Sequence, residues 1–379
     1  MMMTKIKTKI KTMFLALLMT SLCGPSFASN LDGMSREQMQ VFLGAMPKAE
    51  LHIHLSGTMS PETVAKLANR NNFNFFNTPE QVKQSLSNRV PGLIGFLSHH
   101  NKQVSVIQTE KDFYTTIYDF MEKCKENNIV YVEMFFDPQA HTSRGIPFDS
   151  MMKGILEGRE AGQKAFDVKL NLIISINRER SVESAVEMMA WAKPYKKDLL
   201  GLGLDSGPEE GNPPSKFKDV YAQAKKDGYF LTIHNDVVEK DSTSHIREAM
   251  ELLKVDRLDH SLNAAEDIDL IAEIRRRGLC VTGSPVQRGS DPEPQDIPRI
   301  RFLFQHGVCI SIHSDDPGEF DSGYLTQLML NFQQAGKFSK RDMVRLMLNA
   351  FKTAWLPDAQ KQIYIDNLKE WAAVNYVNI

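Results

Sequence analysis

The sequence has almost no excess of charge of either sign. Its 379 residues include 45 Lys and Arg against 47 Asp and Glu, which leaves a formal net charge of −2. Proteins that bind nucleic acid or anionic membranes through their overall charge carry a basic excess. Low-complexity tracts and internal repeats are also missing from the sequence. We therefore predict no nucleic-acid partner and a globular protein whose length suffices to bury a large core.

Apolar runs of membrane-spanning length are missing after the N-terminal segment. The first 28 residues combine four lysines between positions 5 and 11, an apolar run over Met13–Leu22, and small residues at Ser26 and Ala28. This order is typical of a cleaved secretory signal peptide, and an amphipathic N-terminal helix is the alternative. We predict a signal peptide over residues 1–28 and one domain over residues 29–379. The mature protein would be periplasmic or extracellular, with no membrane attachment.

Cysteine is scarce, with four in the chain, and Cys23 falls within the predicted signal peptide. Cys124, Cys280 and Cys309 remain, and this odd number implies no framework of disulfide bonds. Cys280 and Cys309 lie in apolar runs, which favours buried free thiols over a single bridge between them.

What the sequence does contain is a repeated alternation of short apolar runs with segments of helical periodicity. In the helical segments apolar residues recur at i, i+3 and i+4 spacing, as at Ile246, Met250 and Leu253. The apolar runs are rich in Val, Ile and Leu, and they predict eight strands, at Glu50–Leu55, Ile129–Phe136, Leu170–Ile176, Leu200–Asp205, Phe230–His234, Arg257–His260, Leu279–Thr282 and Val308–His313.

Apolar strands that alternate with helices indicate a parallel sheet that is buried on both faces. Eight such units match the α/β architecture of a closed (β/α)8 TIM barrel. A doubly wound dinucleotide-binding sheet would need a glycine-rich turn after an early strand, and the sequence has none. We predict the barrel, with a helical insertion over Ser60–Asn101 after the first strand and C-terminal helices over Lys340–Val374 outside the barrel.

Polar residues end several of the predicted strands, and the carboxyl ends of barrel strands form the active-site face. His52 and His54 end the first strand, and residues i and i+2 of a strand point the same way. His234 ends the fifth strand and Asp315 follows the eighth. Three imidazoles and one carboxylate, with a position left open for water, suit a catalytic zinc ion. A single histidine at the end of a strand is more often a hydrogen-bonded core residue than a metal ligand. The convergence of all four residues at one face is what favours the metal site.

The same face carries two further polar residues. His260 ends the sixth predicted strand and titrates near neutrality, which suits it to take a proton from water or to orient it. Asp316 follows Asp315 and would accept a hydrogen bond from the substrate. Catalytic zinc lowers the pKa of a water molecule that it binds to about 7. The remaining histidines are interpreted as structural or surface residues, namely His99, His100, His141, His245, His306 and His313.

The segments that carry these residues resemble one known family, the adenosine and adenine deaminases. Met46–Thr58 is similar to the opening motif of that family, and Ser314–Pro317 is similar to its metal-binding Asp motif. The adenine deaminase branch in particular is resembled by Phe135–Gly145, Gly201–Ser206, Gly211–Pro214 and Arg257–His260. The resemblance extends from about Pro47 to the C-terminal helices.

The resemblance implies hydrolytic deamination of a 6-aminopurine, converting adenosine to inosine or adenine to hypoxanthine with release of ammonia. Carried over by position, it implies that one zinc ion is bound by His52, His54, His234 and Asp315. It also implies that His260 acts on the water, that Asp316 receives a purine nitrogen and that the backbone at Gly207 contacts the base.

One departure from the family concerns its catalytic glutamate, which follows the strand-five histidine in an Ala-Gly-Glu sequence. Here His234 is followed by Asn235, Asp236 and Val237, so that Val237 stands at the glutamate position. Valine cannot donate a proton to N1 of the purine, and the loss of a general acid costs about 10²–10⁴-fold in rate. Asp236 and Glu239 are the nearby carboxyl groups that we predict as replacements.

Two smaller departures lie on the base-binding side of the predicted site. Gly283–Arg288 replaces the usual Cys-Pro-x-Ser-Asn pattern after the seventh strand and introduces Arg288. Ser261 follows His260, where the family usually has glycine. These differences leave three hypotheses open, which are an adenosine or adenine deaminase, a zinc hydrolase of another amine or cyclic amide, and a non-catalytic purine-binding barrel. Intact metal ligands favour the first hypothesis.

Overall fold

The parallel strands of this computed structural model carry the predicted eightfold alternation. The structure describes residues 33–207, 210–235, 242–286, 295–320 and 322–379. Within them the strands, in chain order, are β1 (Lys48–His54), β2 (Ile129–Phe136), β3 (Lys169–Asn177), β4 (Leu199–Asp205), β5 (Phe230–Leu231), β6 (His234–Asn235), β7 (Leu258–His260), β8 (Cys280–Gly283) and β9 (Cys309–Ile312).

The strands follow one another around the barrel in chain order. One sheet has the order β1-β2-β3-β4-β5 and the other has the order β6-β7-β8-β9, with parallel pairing throughout the described strands. The last strand returns to the first, because Ile53 forms an isolated parallel bridge with Asp315. The His54 amide donates to the Asp315 carbonyl at 3.1 Å, and the Asp315 amide donates to the His52 carbonyl at 3.1 Å. These bonds join the first strand to the segment that follows the last strand, and they do so at the predicted site.

The fifth predicted strand, Phe230–His234, is two short strands rather than one. Its middle residues still join the neighbouring strands, since the Thr232 amide donates to the carbonyl of Leu202 at 3.0 Å. On the other side, the Asp259 amide donates to the Ile233 carbonyl at 3.0 Å. The segment therefore occupies one strand position of the (β/α)8 barrel, and the predicted fold class is confirmed.

The described helices occupy the connections between the strands, the segment before β1 and the segment after β9. They are α1 (Arg36–Ala45), α2 (Pro61–Arg70), α3 (Pro79–Ser87), α4 (Leu93–Val104), α5 (Glu110–Glu126), α6 (Pro138–Thr142), α7 (Phe148–Phe166), α8 (Val182–Ala192), α9 (Lys218–Lys226), α10 (Ser242–Glu248), α11 (Ile268–Arg277), α12 (Asp296–Gln305), α13 (Leu325–Gly336), α14 (Lys340–Thr353) and α15 (Asp358–Val374).

Local sequence signals explain where many of these helices begin. Ser60 accepts a hydrogen bond from the Thr63 amide and is followed by Pro61, so α2 starts with a side-chain cap and a proline in its first turn. Ser339 forms a capping box with Asp342 at the start of α14. Helices α2, α3 and α4 make up the predicted insertion, although α4 continues to Val104. That insertion covers the active-site end of the barrel.

The core is continuous around the strands, as the apolar runs predict. All seven residues of β1 are buried, including its charged residues, because helices cover the outside of the barrel and side chains fill the inside. At the C-terminus α14 packs on the barrel, where the Asn349 side chain donates to the Ile310 carbonyl of β9 at 2.8 Å. No helix in the described part of the chain combines the length and apolar character needed to cross a membrane.

The prediction of free thiols at Cys280 and Cys309 is wrong. The two residues are paired in the register of the neighbouring strands β8 and β9, with their Cα atoms 4.5 Å apart, and they form a disulfide. Cys124 is a buried free cysteine. The count of cysteines could not reveal the bridge, since it depends on the register between two strands that are 29 residues apart in sequence.

Candidate active site

The predicted metal-binding residues meet at the carboxyl ends of the strands. The Nε2 atoms of His54 and His234 are 3.0 Å apart. Asp315 Oδ1 lies 3.5 Å from Nε2 of His52 and 3.5 Å from Nε2 of His54. The sequence rule that residues i and i+2 share a face therefore holds for the two histidines of β1.

Hydrogen bonds on the far side of two imidazoles orient them toward this point. His52 Nδ1 lies 3.1 Å from the Thr282 carbonyl, and His234 Nδ1 lies 3.1 Å from the Leu204 carbonyl. An Nδ1–H that donates to a carbonyl leaves the Nε2 lone pair for a ligand. Within the described part of the chain, His52 Nε2 is buried and has no hydrogen-bond partner. The arrangement offers a cation two preoriented nitrogen donors.

The electrostatics of the cluster also suit a cation. Burial by itself would raise the pKa of Asp315, but the nearby imidazole of His52, with the charges of the other imidazoles, holds that pKa well below its usual value. Burial and the neighbouring positive charges hold the pKa of His234 well below its usual value. An anionic carboxylate and a neutral imidazole are the forms in which these groups bind metal.

His260 and Asp316 lie beside this cluster. His260 Nε2 is 3.8 Å from Asp315 Oδ2, so the imidazole faces the same carboxylate as the metal-site histidines. Asp316 is buried, and burial followed by the nearby Asp315 charge raises its pKa well above the usual value. Its Oδ1 has no hydrogen-bond partner among the described residues. Both side chains also line the cavity beside the cluster of predicted metal-binding residues, called the metal cluster below.

Three residues of the site adopt left-handed backbone conformations that most side chains avoid. The φ angles are +80° for His260, +45° for Ser261 and +62° for Asp315. Strain of this kind persists where the surroundings determine the conformation, which is common at active sites. The angle at Ser261 explains why glycine is usual there in the resembled family, since glycine adopts positive φ without cost.

Gly57 provides the space that Asp316 occupies. A Cβ atom at Gly57 would lie 1.8 Å from Asp316 Oδ1 and 2.5 Å from Asp316 Cβ, which no side chain can tolerate. Gly57 also accepts a hydrogen bond from the Gly318 amide at 2.8 Å. The glycine of the first-strand motif therefore holds the second aspartate in place.

Two carboxyl groups that were absent from the predicted site also lie at the ends of strands. Asp137 follows β2 and Asp205 ends β4, with carboxylate oxygens 3.8 Å and 3.6 Å from His54 Nδ1. Ser175 donates to Asp205 at 2.7 Å. Burial, followed by the charge of the adjacent Asp137, raises the pKa of Asp205 well above its usual value. These groups orient His54 as the carbonyls orient the other two imidazoles.

Helix α4 forms the wall of the cavity that faces the metal cluster. Leu93, Phe96, Leu97 and His100 all line that cavity. His100, which was predicted to be a structural or surface residue, lies in the cavity wall and pairs with the buried Glu319. No strand-end rule could find it, because its position depends on how the insertion folds over the barrel.

Gly207, the predicted backbone contact to the base, lies next to residues that line the cavity, whereas the predicted replacement acids lie outside the described residues. Gly207 is buried, and a Cβ atom there would lie 2.8 Å from the side chain of Leu93, while the neighbouring Ser206 lines the cavity. Asp236, Val237 and Glu239 lie outside the described residues, as do Arg288 and the predicted signal peptide.

A buried ion network lies inside the barrel below the site. The Arg257 guanidinium donates to Glu133, and its Nε lies 3.2 Å from Asp259 Oδ1. Thr282 Oγ1 donates to Asp259 at 2.6 Å and lies 3.2 Å from His52 Nδ1. A chain of hydrogen bonds therefore connects the centre of the barrel to a metal-site imidazole.

We expect Arg257→Met to lower the free energy of unfolding by about 3–5 kcal/mol, because it leaves the buried carboxylates of Glu133 and Asp259 without their cation. Urea unfolding of the protein followed by circular dichroism measures this change. Arg276→Met is the control, since Arg276 pairs with Glu273 on an exposed surface and such pairs contribute less than about 1 kcal/mol. Equal effects of the two substitutions would contradict the role of the buried network.

A (β/α)8 barrel with three imidazoles and a carboxylate at its carboxyl-end mouth defines a metal-dependent hydrolase class. Comparison with known proteins identifies the family. The sequence profile of the family described as adenosine deaminase matches residues 47–371. The chain therefore belongs to the adenosine deaminase family.

Individual relatives agree with this assignment along nearly their whole length. An uncharacterized deaminase of Schizosaccharomyces pombe is 36% identical over 333 residues, covering 88% of this chain and 97% of its own. The adenine deaminase of Crocosphaera subtropica is 35% identical over 331 residues, covering 86% of this chain and all of its own.

A solved structure gives the same result for the fold. The crystal structure of adenine deaminase from Arthrobacter aurescens has a TM-score of 0.78 and 28% identity, and the match covers 87% of this chain and 100% of that chain. The protein is an aminohydrolase of the adenosine and adenine deaminase kind, and the general reaction is purine deamination.

Proposed function

We propose that the chain is a zinc-dependent adenine deaminase that hydrolyses adenine to hypoxanthine and ammonia. The observation that carries the proposal is the convergence of His52, His54, His234 and Asp315 at the mouth of the barrel. Asp316 and His260 lie beside this cluster. Asp316 would accept a hydrogen bond from the substrate, and His260 would accept a proton from the water.

The donor set fits zinc. Neighbouring ligands of a tetrahedral zinc ion with bonds of 2.0–2.1 Å are about 3.3 Å apart. The donor separations in the cluster are 3.0 Å for His54 to His234 and 3.5 Å from Asp315 to His52 and to His54. The buried Nε2 of His52, which has no hydrogen-bond partner among the described residues, supports the same assignment. A zinc ion held there supplies a water molecule that loses a proton near neutral pH.

The side chains around the cluster supply the remaining steps. His260 faces Asp315, where it would take the proton of the attacking water and pass it to the departing amine, which leaves as ammonia. Asp316 has a buried oxygen without a partner among the described residues and receives a hydrogen bond from a purine nitrogen. The apolar side chains of Leu93, Phe96 and Leu97 cover the base and exclude bulk water.

The proton that N1 of the purine gains during the reaction requires an acid, and Val237 cannot provide it. We assign this role to Asp236 or Glu239, the carboxyl groups on either side of Val237 in the sequence. Both follow Asn235, which ends β6 beside the metal cluster.

Adenine is favoured over adenosine as the substrate because individual relatives of this chain are named adenine deaminase. The curated relatives from Crocosphaera subtropica and Chlorobium luteolum, which are 35% and 34% identical to this chain, are both named adenine deaminase. The N-terminal 28 residues support export of the mature protein to the periplasm or the extracellular space. The disulfide between Cys280 and Cys309 is consistent with an oxidising compartment.

The test is ammonia release from adenine and from adenosine by residues 29–379. The protein is assayed as purified, after removal of metal with a chelator, and after addition of zinc, with metal content measured each time. We expect one zinc ion per chain, loss of activity on chelation and recovery with zinc. Release from adenosine alone would overturn the choice of substrate. No release from either compound by zinc-loaded protein would overturn the proposed reaction and direct attention to another amine.

The replacement acid is tested in the same assay with Asp236→Ala and Glu239→Ala. We expect one of them to lower the rate by about 10²–10⁴-fold, the usual effect of removing a general acid. Glu251→Ala is the matched control, since Glu251 is an exposed carboxyl group away from the cavity. Full activity in both acid variants would remove the assignment and leave the deaminase proposal standing.

A further inference from the structure

The cavity wall on α4 carries a charged group that the mechanism above does not use. Leu93, Phe96 and Leu97 are apolar, but His100 follows them on the same helix and also lines the cavity. A polar side chain that is buried in a mostly apolar wall loses solvation, and a partner is needed to compensate for that loss.

The partner of His100 is a buried carboxylate. His100 Nδ1 lies 2.6 Å from Glu319 Oε1, and Glu319 is 2% exposed. The other oxygen of Glu319 lies 3.2 Å from Nδ1 of His99. The ion pair with Glu319 outweighs burial and raises the pKa of His100 to about 10. Because Nδ1 is bound to Glu319, the nitrogen that His100 offers to a ligand is Nε2.

His100 also lies close to the aspartate that receives the substrate. One ring nitrogen of His100 and one carboxylate oxygen each of Asp316 and Glu319 lie within 4.8 Å of one another. The cavity therefore presents a hydrogen-bond acceptor and a hydrogen-bond donor side by side. A free purine base has the complementary edge, because one nitrogen of its five-membered ring carries hydrogen while nearby ring nitrogens are acceptors.

We propose that His100 is a specificity-determining residue, which donates a hydrogen bond to a purine ring nitrogen beside the N–H group received by Asp316. This inference rests on the proposed purine substrate. Glu319 is the positioning residue that holds the imidazole in place. In a nucleoside the sugar replaces the hydrogen on N9, so the Asp316 and His100 pair favours the free base.

The test is the binding of hypoxanthine, the reaction product, to the zinc-loaded protein by isothermal titration calorimetry. Three analogues, 3-deaza-, 7-deaza- and 9-deazahypoxanthine, each replace one ring nitrogen with carbon. We expect His100→Phe to weaken hypoxanthine binding about 10- to 100-fold, as for loss of one charge-assisted hydrogen bond. One analogue should bind parent and variant equally, since it lacks the nitrogen that His100 contacts. His100→Gln, which keeps a donor, should restore part of the affinity.

His99→Phe is the matched control. It also removes one imidazole from Glu319, but His99 is not among the residues that line this cavity. Its hypoxanthine affinity should match the parent, and thermal unfolding and zinc content confirm that both variants are folded. If His100→Phe weakens all four ligands equally, or if His99→Phe has the same effect, the inference is wrong. Absence of any purine binding would also overturn it. Binding without ammonia release would remove the proposed reaction and leave the role of His100 intact.

Discussion

Asp315→Asn is expected to abolish tight zinc binding and to lower deaminase activity by more than about 10³-fold, because the metal supplies several kcal/mol of transition-state stabilisation. The substitution replaces the anionic ligand with a neutral amide of the same shape. Asparagine tolerates the left-handed backbone that Asp315 adopts at φ +62°, so the effect does not arise from backbone strain. Metal content after dialysis and the ammonia assay measure the two effects.

The control for this prediction is His306→Asn, at an exposed histidine near the end of α12. It should retain one zinc ion and full activity. Retention of tight zinc by Asp315→Asn, with activity within tenfold of the parent, would exclude Asp315 as a metal ligand and with it the donor set that we propose. Unfolding measurements on both variants separate loss of metal from loss of structure.

Gly57→Ala is expected to lower kcat/KM by about 10²-fold or more without removing the metal. The new Cβ atom would lie 1.8 Å from Asp316 Oδ1, so the carboxyl group must move by at least an ångström. Displacement of a catalytic contact by about 1 Å is known to cost about 10²-fold. Gly57 belongs to the tight turn after β1, and the proposed zinc ligands His52 and His54 precede it on the strand itself.

Gly44→Ala provides the matched glycine control. Gly44 lies in α1, where a Cβ atom meets no other atom within 4 Å, and alanine favours a helix over glycine by up to about 1 kcal/mol. We expect unchanged activity and equal or higher stability for this variant. Normal kcat/KM in Gly57→Ala would contradict the role assigned to Asp316, provided that its zinc content equals that of the parent.

The disulfide and the wall of the cavity could not be predicted from local pattern. Cys280 and Cys309 meet because β8 and β9 pair in a register that places them opposite each other. His100 reaches the cavity because the insertion folds over the mouth, and Glu319 meets it from the segment after the last strand. Both contacts join residues that are far apart in sequence, and their formation depends on the packing of whole elements.

Asp137 and Asp205 are a different case, since the sequence does contain the signal that locates them. Each stands at the carboxyl end of a predicted strand, where barrel enzymes place their polar residues. Their contacts with His54, at 3.8 Å and 3.6 Å, follow from the same rule that located the metal-site residues. Their positions at strand ends are therefore a signal that the sequence contains, like those of His52 and Asp315.

Local sequence patterns were sufficient to predict the parallel barrel and the face on which His52, His54, His234 and Asp315 converge. Strand and helix periods are local properties, and parallel strands of a barrel all end at one face. Three features can be established only from the folded structure. They are the carboxyl groups and carbonyls that orient each imidazole, the pairing of the cysteines, and the placement of His100 in the cavity wall by α4 and Glu319. These contacts depend on strand register and on packing between distant segments, which short sequence patterns do not specify.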